Sequence, residues 1–423
     1  MKICVLGLGY IGLPTAVLFA TRRHEVVGID INKSIIETIN KGIIPFDEPE
    51  LPKLLEEAIR NKNLVAKTEV EDANVFIIAV PTPLDKEMKM AELKYVRLAA
   101  EMIYPHLRKD NLVILESTVP PGTSEKILVP ILEKSGLKVS RDFCLAHCPE
   151  RAIPGNTIYE MIHNDRIVGG IDRKSTELAK SLYSSFVKGN FYLANTITAE
   201  FVKLMENTFR DINIALANEF AQIAEECEVN VWEAIELANK HPRVNILKPG
   251  PGVGGHCIAI DPLFLTENST RCRIVSLARE INNSMPNHVL QSVKRMLKDV
   301  NDPVITIFGV AYKGGVDDTR ETPALKFIKL AENEGYKVKV YDPHVKEFEY
   351  GILGLKEAVR DSDCMILITD HPEFKEIDPK EVSGLMRNKN VVDTRNVLDA
   401  ERWKEDGFSV KVLGDGYTRI RNK

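Results

Sequence analysis

The sequence lacks the features that would assign the chain to a membrane, to the secretory pathway or to a nucleic acid. None of its stretches approaches the ~20 consecutive apolar residues that a membrane-spanning helix needs. Its 56 lysines and arginines are outnumbered by 61 aspartates and glutamates, so the net charge of −5 gives no reason to expect a nucleic-acid partner. The first residues, MKICVLG, do not resemble a signal peptide, and the seven cysteines are odd in number and irregularly spaced. We therefore expect a cytoplasmic protein with no nucleic-acid partner, no membrane partner and no metal site.

The composition that is present is that of an ordinary globular protein. Apolar residues make up 44% and charged residues 28% of the 423 residues. In the first half, short β-branched runs predict strands at 3–6, 26–29, 75–80, 112–115 and 143–147, with helical patterns between them. Further short strands are predicted near 166–168 and 191–193. This alternation is typical of a doubly wound parallel sheet.

The middle and the end of the chain have different patterns. Residues 198–228 contain neither glycine nor proline, and their apolar residues recur at helical spacing, which predicts one helix roughly 45 Å long. A helix of that length usually bridges domains or forms a subunit interface. Strand–helix alternation returns in the last third, where the run that ends at Gly309 resembles the run that ends at Gly7. We therefore predict an α/β protein with two Rossmann-like doubly wound parallel-sheet domains, 1–195 and 300–423, joined by a long-helix central domain, 196–299.

The strongest local signal is the motif GLGYIG, which follows the first strand and opens a helix. Gly7 permits the tight turn, Gly9 lets a pyrophosphate approach the backbone, and Gly12 lets helix and strand pack closely. Asp30 ends the second strand, where a carboxylate can accept hydrogen bonds from the adenosine ribose and would repel a 2′-phosphate. The motif predicts an NAD site, and the alternative is a glycine turn that binds nothing.

A second strong signal is the segment PGPGVGGHCIAID at 249–261. It places Cys257 after a run of glycines and ahead of a predicted helix, a position that favours a thiolate nucleophile. Asp261 follows four residues later and would share the face of Cys257 on that helix. The alternative is a buried structural cysteine beside a flexible loop.

Polar side chains on the long helix and after two strands are candidates for the same site. Lys203 and Asn207 are four residues apart, with Arg210 nearby, and together they can hold an oxyanion and move a proton. A solvated polar face is the alternative. Thr82 in PTP and Thr118 in EST follow strands, where hydroxyls can line a nicotinamide pocket, although PTP is equally typical of a rigid turn.

Cations occur at several loop ends beside proline or glycine. In an acidic protein they indicate a polyanionic small ligand, such as the diphosphate of a sugar nucleotide, although each alone is an ordinary surface charge. These residues are Arg151, His241, Arg243, Lys313 with its neighbour Tyr312, Arg320 and Arg395.

Taken in order along the chain, these motifs resemble the UDP-glucose/GDP-mannose dehydrogenase family. The matching pieces are GLGYIG, PTP at 81–83, EST at 116–118, KLMEN at 203–207, HPRVNILKPGPGVGGHCIAIDP at 241–262, AYKGGVDDTR at 311–320 and DTRN at 393–396. The resemblance covers essentially the whole chain. The segment GPGVGGHC is most similar to the branch that oxidises UDP-N-acetyl-D-mannosamine, since UDP-glucose enzymes typically have GGSCF there.

The resemblance implies a four-electron oxidation of the sugar C6 alcohol to a carboxylate, as a step in polysaccharide biosynthesis. Two NAD⁺ and one water would be consumed, and Cys257 would carry the substrate first as a thiohemiacetal and then as a thioester. UDP-N-acetylglucosamine and UDP-glucose remain alternative substrates. The resemblance also implies a homodimer or homotetramer formed through the helical domain, and an active site in the cleft between the two α/β domains.

The resemblance further assigns roles to individual residues. Lys203 would move a proton and stabilise an oxyanion, Asn207 would be a second donor, Asp261 would orient water or the lysine, and Glu150 would assist hydrolysis. Thr118 is counted with the catalytic residues as well as with the cofactor contacts. The positions that correspond to NAD contacts are Gly7, Gly9, Tyr10, Ile11, Gly12, Asp30, Thr82, Thr118 and Arg320. The positions that correspond to substrate contacts are Arg151, Ala152, Lys203, Asn207, Arg210, His241, Arg243, Gly254, Tyr312, Lys313 and Arg395, of which Arg243 would reach across a dimer interface.

Two other functions remain open from the residues. A one-step NAD-dependent hydroxyacid dehydrogenase also suits a lysine and an asparagine four residues apart on a helix, but it leaves Cys257 without a role. A non-catalytic NAD sensor would keep the fold and bind the nucleotide without turnover.

Overall fold

The computed structural model describes residues 1–46, 48–85, 87–267 and 269–417. The chain forms two compact units. Unit 1 consists of Met1–Glu206 with Leu263–Ser269, and unit 2 consists of Asn207–Pro262 with the chain from Thr270 onward. Among the described residues, no helix combines the length and the apolar character that crossing a lipid bilayer requires.

The seven predicted strands of unit 1 are present, with ends that agree to within one or two residues. The strands are β1 (Lys2–Leu6), β2 (Glu25–Ile29), β3 (Leu64–Lys67), β4 (Val75–Ile78), β5 (Leu84–Asp85), β6 (Met90–Ala91), β7 (Leu112–Leu115), β8 (Cys144–His147), β9 (Arg166–Gly170) and β10 (Phe191–Asn195). Three of these strands, β3, β5 and β6, were not predicted. The helices between them are α1 (Gly12–Thr21), α2 (Lys33–Asn40), α3 (Leu51–Arg60), α4 (Lys94–Ile103), α5 (Val129–Leu132), α6 (Thr157–His163) and α7 (Arg173–Tyr183).

The main sheet of unit 1 has the strand order β10-β9-β8-β7-β4-β1-β2-β3. Its central strands are buried runs of valine, isoleucine and leucine because both faces of the sheet are covered. Ile3 and Val5 pack into one core, and Cys4 and Leu6 pack into the other. The prediction of a parallel sheet is wrong for one pair, since β9 runs antiparallel to β8. The connection between them contains only the short helix α6 and returns the chain along the sheet in the opposite direction.

The predicted long helix is confirmed as α8 (Thr196–Glu226), which has 31 residues. It is followed by α9 (Val231–Ala238), α10 (Asp261–Thr266) and α11 (Arg273–Met296). Apolar side chains along α8 recur mostly at four-residue spacing and are exposed to solvent, although apolar residues on a single soluble chain are normally buried. These side chains are Ile197, Phe201, Met205, Phe209, Leu216, Phe220 and Ile223, and we refer to them as the α8 apolar stripe.

Unit 2 contains a second Rossmann-like sheet. Its strands are β11 (Val304–Phe308), β12 (Lys337–Tyr341), β13 (Cys364–Leu367), β14 (Asn390–Asp393) and β15 (Ser409–Val412), in the order β12-β11-β13-β14-β15. Its helices are α12 (Pro323–Asn333), α13 (Leu355–Val359), α14 (Pro379–Ser383) and α15 (Ala400–Glu405). All of the pairs in this sheet are parallel among the described residues. The predicted fold class, two Rossmann-like domains with a helical central domain, is confirmed.

Candidate functional site

The turn after β1 has the geometry that the glycine motif predicts. Gly7 has a φ of +93°, and a Cβ there would lie 2.5 Å from the carbonyl oxygen of Ala79. A Cβ on Gly12 would lie 1.9 Å from the carbonyl oxygen of Gly7, so neither position can carry a side chain without moving the backbone. Gly9 differs, because no atom lies within 4 Å of the place where its Cβ would stand. The backbone is therefore tightly packed at Gly7 and Gly12, whereas the space beside Gly9 is open to a ligand.

The surroundings of this turn fit a dinucleotide. Helix α1 starts without a side-chain cap and without an acidic residue in its first turn, so its positive end remains available to phosphate. The Asp30 carboxylate accepts hydrogen bonds from the backbone N–H groups of Leu8, at 3.0 Å, and Asn32, at 2.8 Å. Beside it lies a cavity of about 290 Å³, mostly apolar and suited to a flat ring system. It is lined by Leu6, Gly7, Ile29, Asp30, Ile31, Val80, Pro81, Tyr95, Leu98, Ala99 and Met102.

The two predicted threonine loops meet in unit 1. The Thr82 hydroxyl donates to the carbonyl oxygen of Thr118 at 2.8 Å, and the Ser117 hydroxyl donates to the carbonyl oxygen of Val80 at 2.7 Å. Thr82 is buried, whereas Thr118 is partly exposed. The loops after β4 and β7 are thus joined by hydrogen bonds at the carboxyl ends of neighbouring strands, where open α/β sheets bind their ligands.

Glu150 follows β8 and is held from three sides. Its carboxylate accepts hydrogen bonds from the backbone N–H groups of Arg151, at 2.7 Å, and Ala152, at 2.9 Å, and forms an ion pair of 2.5 Å with the buried Arg166. Burial alone would raise the pKa of Glu150, but the Arg166 charge and the two N–H groups outweigh it and hold this pKa below its ordinary value. Only the backbone of Arg151 contacts Glu150; its guanidinium forms an ion pair with Glu206 at 2.6 Å.

Lys203 is buried on α8 with an exposed fraction of 8%. Among the described residues, no hydrogen bond or ion pair holds its amine. The nearby His147 is also buried, and neither of its ring nitrogens has a hydrogen-bond partner within the described chain. Burial, together with the positive charge of Lys203, lowers the pKa of His147 to about 3, so this imidazole is neutral. Lys203 is thus the kind of unneutralised buried amine that can serve an incoming oxyanion or exchange a proton.

Asn207 connects two other predicted site residues within unit 2. Its amide nitrogen donates a hydrogen bond to the Asp261 carboxylate, and its amide oxygen accepts one from the Arg210 guanidinium. Asn207 and Asp261 are both buried. The predicted residues of α8 and of the cysteine segment therefore meet through this chain of hydrogen bonds. Within the part of the chain that the structure describes, the second N–H of the Asn207 amide donates to no group.

Cys257 lies exposed on the glycine-rich loop, so the alternative of a buried structural cysteine is wrong. Cys257 precedes a helix, as predicted, but α10 begins only at Asp261, so the expectation that the two residues share one face of that helix is wrong. A single turn separates the two residues, closed by a 2.9 Å hydrogen bond from the Asp261 N–H to the Cys257 carbonyl oxygen. Proline at 262 suits the first turn of a helix, which explains the later start.

The glycines before Cys257 let this loop pack closely against the turn after β11. A Cβ on Gly255, whose φ is +80°, would lie 2.9 Å from the Tyr312 ring, and its N–H donates to the Arg320 carbonyl oxygen at 2.9 Å. A Cβ on Gly254 would lie 2.8 Å from the Glu321 carbonyl oxygen, and one on Gly250 would lie 2.5 Å from Nη1 of Arg395. Predicted substrate residues from the last third of the chain thus lie against the cysteine loop.

A cavity of about 1180 Å³ in unit 2 brings further cations together. Lys313 was predicted as a ligand contact, but Lys240, Lys248 and Trp232, which also line the cavity, were not. Lys248 stands directly before the glycine-rich segment, and its position was the signal that could have identified it. The same cavity is lined by the carboxylates of Glu233, Glu236 and Asp370, so its charge is mixed, and the Trp232 indole is the group that suits a flat base.

The turn that carries Tyr312 and Lys313 is fixed by a buried carboxylate. Asp342 ends β12 as Asp30 ends β2, and it accepts hydrogen bonds from the N–H of Val310, at 2.7 Å, and from Nε2 of His371, at 3.1 Å. Burial would raise the pKa of Asp342, but these donors lower it to about 2. Asp30 in unit 1 thus lies beside an open cavity, whereas Asp342, at the corresponding position of unit 2, is buried and holds a loop.

The remaining predicted residues are placed as follows. His241 and Arg243 are exposed and neighbour each other, with 3.3 Å between the Arg243 N–H and Nδ1 of His241. The Arg320 guanidinium pairs with Asp318 at 2.6 Å. Tyr10, Ile11 and Ala152 are partly buried, and the Tyr10 ring lies 4.3 Å from that of Phe46. Their roles in binding stay predictions.

Comparison with known families covers most of the chain. Residues 1–187 match the NAD binding domain, residues 197–284 the central domain, and residues 306–400 the UDP binding domain of the UDP-glucose/GDP-mannose dehydrogenase family. The sequence is 49% identical to the UDP-N-acetyl-D-mannosamine dehydrogenase of Methanococcus aeolicus, over 99% of this chain and 96% of that protein.

Solved structures of related dehydrogenases are similar to this chain over nearly its whole length. The UDP-D-ManNAc dehydrogenase of Pyrococcus horikoshii has a TM-score of 0.94 and 44% identity, covering 99% of this chain and all of that one. The UDP-N-acetyl-mannosamine dehydrogenase of S. aureus has a TM-score of 0.90 and 41% identity, with 99% of both chains covered. The cofactor is NAD, which the nucleotide turn of unit 1 fits, and the substrate is a nucleotide sugar. The chain belongs to the UDP-glucose/GDP-mannose dehydrogenase family of NAD-dependent nucleotide-sugar dehydrogenases.

Proposed function

We propose that this protein oxidises the C6 alcohol of UDP-N-acetyl-D-mannosamine to the carboxylate through a thioester on Cys257. The observation that carries the proposal is an exposed cysteine on a glycine-rich loop packed against Tyr312 and Arg320. A one-step alcohol dehydrogenase has no use for such a thiol. A four-electron oxidation can use one, because a thiohemiacetal retains the aldehyde for the second oxidation.

The reaction divides between the cofactor and the side chains. Bound NAD⁺ accepts a hydride at each oxidation, and the chain's own residues do the rest. Lys203, after its amine has released a proton to solvent, takes the proton of the C6 hydroxyl. The ammonium formed in this way then stabilises the oxygen at the aldehyde stage. The Cys257 sulfur adds to the aldehyde carbon, and the remaining N–H of Asn207 supports the oxygen that becomes negative. Glu150 takes a proton from water in the final hydrolysis, as its charged state allows.

The nucleotide is assigned to the lysine-lined cavity of unit 2. Lys313 and Lys248 would contact the diphosphate, since Lys240 pairs with Glu236 at 3.7 Å, and Trp232 would pack against the uracil ring. Arg395 is held in place through a 2.9 Å hydrogen bond from its Nε to the Ile368 carbonyl oxygen. Binding through the nucleotide keeps the sugar oriented while the C6 chemistry proceeds twice.

The proposal is tested with four nucleotide sugars and a count of NADH. We expect UDP-N-acetyl-D-mannosamine to be the preferred substrate among itself, UDP-N-acetylglucosamine, UDP-glucose and GDP-mannose, with two NADH formed per sugar. A preference for UDP-N-acetylglucosamine or UDP-glucose would overturn the substrate, and a single NADH per sugar would overturn the reaction.

Cofactor selection is expected to depend on the charge of Asp30. The N–H groups of Leu8 and Asn32 donate to different oxygens of Asp30, so the variant Asp30→Asn keeps an acceptor for one of them and loses the charge that repels a 2′-phosphate. We expect the preference for NAD over NADP, measured as a ratio of kcat/KM values, to fall about 10-fold or more. An unchanged ratio would remove Asp30 from the cofactor site.

We also propose that the chain is a homodimer formed through the α8 apolar stripe. Seven large apolar side chains on one helix are too many to leave in water, and a second copy of the same helix would cover them. We therefore expect the variant Phe209→Asp to sediment as a monomer where the unaltered protein sediments as a dimer or tetramer. Leu178→Asp, which changes an exposed leucine on α7, is the matched control and is expected to keep the oligomer. A monomeric parent protein would contradict the proposal.

A further inference from the structure

A group of buried charges in unit 1 has no role in the scheme above. Arg166 on β9 forms its 2.5 Å ion pair with Glu150 through Nη2, and its Nη1 points toward a second carboxylate, Glu116, at 3.8 Å. Glu116 follows β7 and immediately precedes Ser117 and Thr118. All three charged side chains are buried, with side-chain exposures of 5% for Arg166, 6% for Glu150 and 0% for Glu116.

The two carboxylates do not share the guanidinium equally. Glu150 has the short contact and two backbone N–H donors, whereas Nη1 of Arg166 makes no hydrogen bond among the described residues although it is buried. Glu116 instead accepts from the Tyr183 hydroxyl, at 2.6 Å, and from the Thr15 hydroxyl of α1, at 3.0 Å. One guanidinium can neutralise one carboxylate, so the second buried carboxylate costs free energy whenever it is charged.

The titration of Glu116 follows from the groups around it. Its pKa is raised to about 7, chiefly by burial; the Arg166 charge opposes this rise, the Glu150 charge adds to it, and the hydrogen bonds from Tyr183 and Thr15 oppose it. The Cys148 thiol also faces this group, and burial raises its pKa, so it stays protonated. Near neutral pH, Glu116 therefore changes charge while Glu150 remains ionised.

We propose that Glu116 and Arg166 are positioning residues that set the basicity of Glu150 for the hydrolysis of the Cys257 thioester. When Glu116 is neutral, the whole Arg166 charge stabilises the Glu150 carboxylate and makes it a weaker base. When Glu116 is charged, it competes for Nη1 of Arg166 and adds a negative charge nearby, which makes Glu150 a stronger base. The inference rests on the proposed function, since it concerns the final step of that reaction.

The step itself balances without a further reactant. Glu150 takes one proton from water as the water oxygen bonds to the thioester carbon. The carbon–sulfur bond breaks with its electron pair on the Cys257 sulfur, and the proton passes from Glu150 to sulfur or to solvent. The Thr15 hydroxyl donates to Glu116 from the first turn of α1, the helix of the nucleotide turn, so the same carboxylate also contacts the element that would bind the cofactor.

The experiment follows hydrolysis of the acyl-enzyme against pH in rapid-quench single turnovers, with NAD⁺ and whichever nucleotide sugar the unaltered enzyme oxidises. We expect the hydrolysis rate of the unaltered enzyme to rise about 3- to 10-fold as the pH passes through an inflection near 7. The rate of the first oxidation is measured in the same turnovers, and the rise in hydrolysis is expected to exceed any rise in that rate. Glu116→Gln, which keeps the shape of the side chain, is expected to lose that inflection. Tyr183→Phe, which removes a donor to the charged form, is expected to move it to higher pH.

The control is a second buried glutamate of unit 1. Glu200 accepts hydrogen bonds from the N–H groups of Gly122 and Ser124 and does not contact Arg166, so Glu200→Gln is expected to keep the inflection. An inflection that persists in Glu116→Gln would overturn the inference. An unaltered enzyme that forms no acyl-enzyme at all would overturn the proposed function as well, and the intact mass of the quenched protein tells these two outcomes apart.

The obvious alternative variant, Arg166→Lys, is less useful alone because it leaves two buried carboxylates with a poorer partner.

The stability of the folded protein provides a second measurement. Because the pKa of Glu116 is raised in the folded protein, its neutral form favours folding below its ordinary range, and this contribution is lost as the pH rises through about 7. The free energy of unfolding of Glu116→Gln, relative to that of the unaltered protein, is therefore expected to be higher above pH 7 than below it. Urea unfolding at pH 6 and at pH 8.5 measures this difference, and an equal difference at both pH values would contradict the proposed change in the charge of Glu116.

Discussion

Replacement of Cys257 by alanine is expected to abolish formation of the sugar acid, by about 10³-fold or more, while NAD binding is retained. The reason is that no other group in the scheme retains the aldehyde for a second oxidation. The side chain lies exposed on its loop and fills no core, so the variant is expected to unfold within about 2 °C of the unaltered protein. The measurement is the uronate formed per enzyme, by chromatography of the nucleotide sugars after incubation with NAD⁺.

The matched control is Cys227→Ala, which removes an exposed cysteine that no motif contains. It is expected to form acid at the normal rate. Full acid formation by Cys257→Ala would mean that the aldehyde is oxidised as its hydrate, and the covalent scheme would then be wrong.

Replacement of Lys203 by methionine is expected to lower kcat by about 10²- to 10⁴-fold, the range that a positioned proton carrier contributes. Methionine has a similar length and leaves no carboxylate without a partner, because no ion pair holds the lysine among the described residues. The fold should therefore survive, and the loss should appear in kcat more than in the KM for the nucleotide sugar. Steady-state kinetics on both substrates provide the measurement.

Lys94→Met, at an exposed position of α4, is the control for loss of a lysine and is expected to keep full activity. A Lys203→Met enzyme within 10-fold of the unaltered kcat would exclude this lysine from the proton transfer.

The parts of the molecule that follow from local sequence could be predicted. The glycine motif and Asp30 specify a strand, a turn and a helix over about 30 residues, and the structure has all three. The long helix was predictable because no glycine or proline interrupts residues 196–226 and its apolar spacing is regular. The direction of β9 was not predictable, because its residues pair equally well either way and the connection before it decides.

The arrangement of the site depends on contacts between distant segments, and these were only partly accessible. That Asn207 joins Arg210 to Asp261 needs the packing of α8 against the segment 54 residues later. Arg166 looked like the start of a strand and carried no motif, yet it holds Glu150. Cys257 was singled out because of the glycines before it, and its catalytic role stays a prediction; the helix after it starts only at Asp261, where the proline at 262 suits the first turn. Glycine runs indicate close approach, but they do not specify which side chain approaches.

The most direct test of the account is the mass of the enzyme during a single turnover. Glu150→Gln enzyme, in which hydrolysis is expected to be slow, is mixed with NAD⁺ and UDP-N-acetyl-D-mannosamine, quenched in acid and digested. The account predicts that the peptide containing Cys257 gains the mass of the sugar nucleotide as its thioester, with two NADH formed for each modified chain. Two NADH per sugar with an unmodified Cys257 peptide at every time point would contradict it.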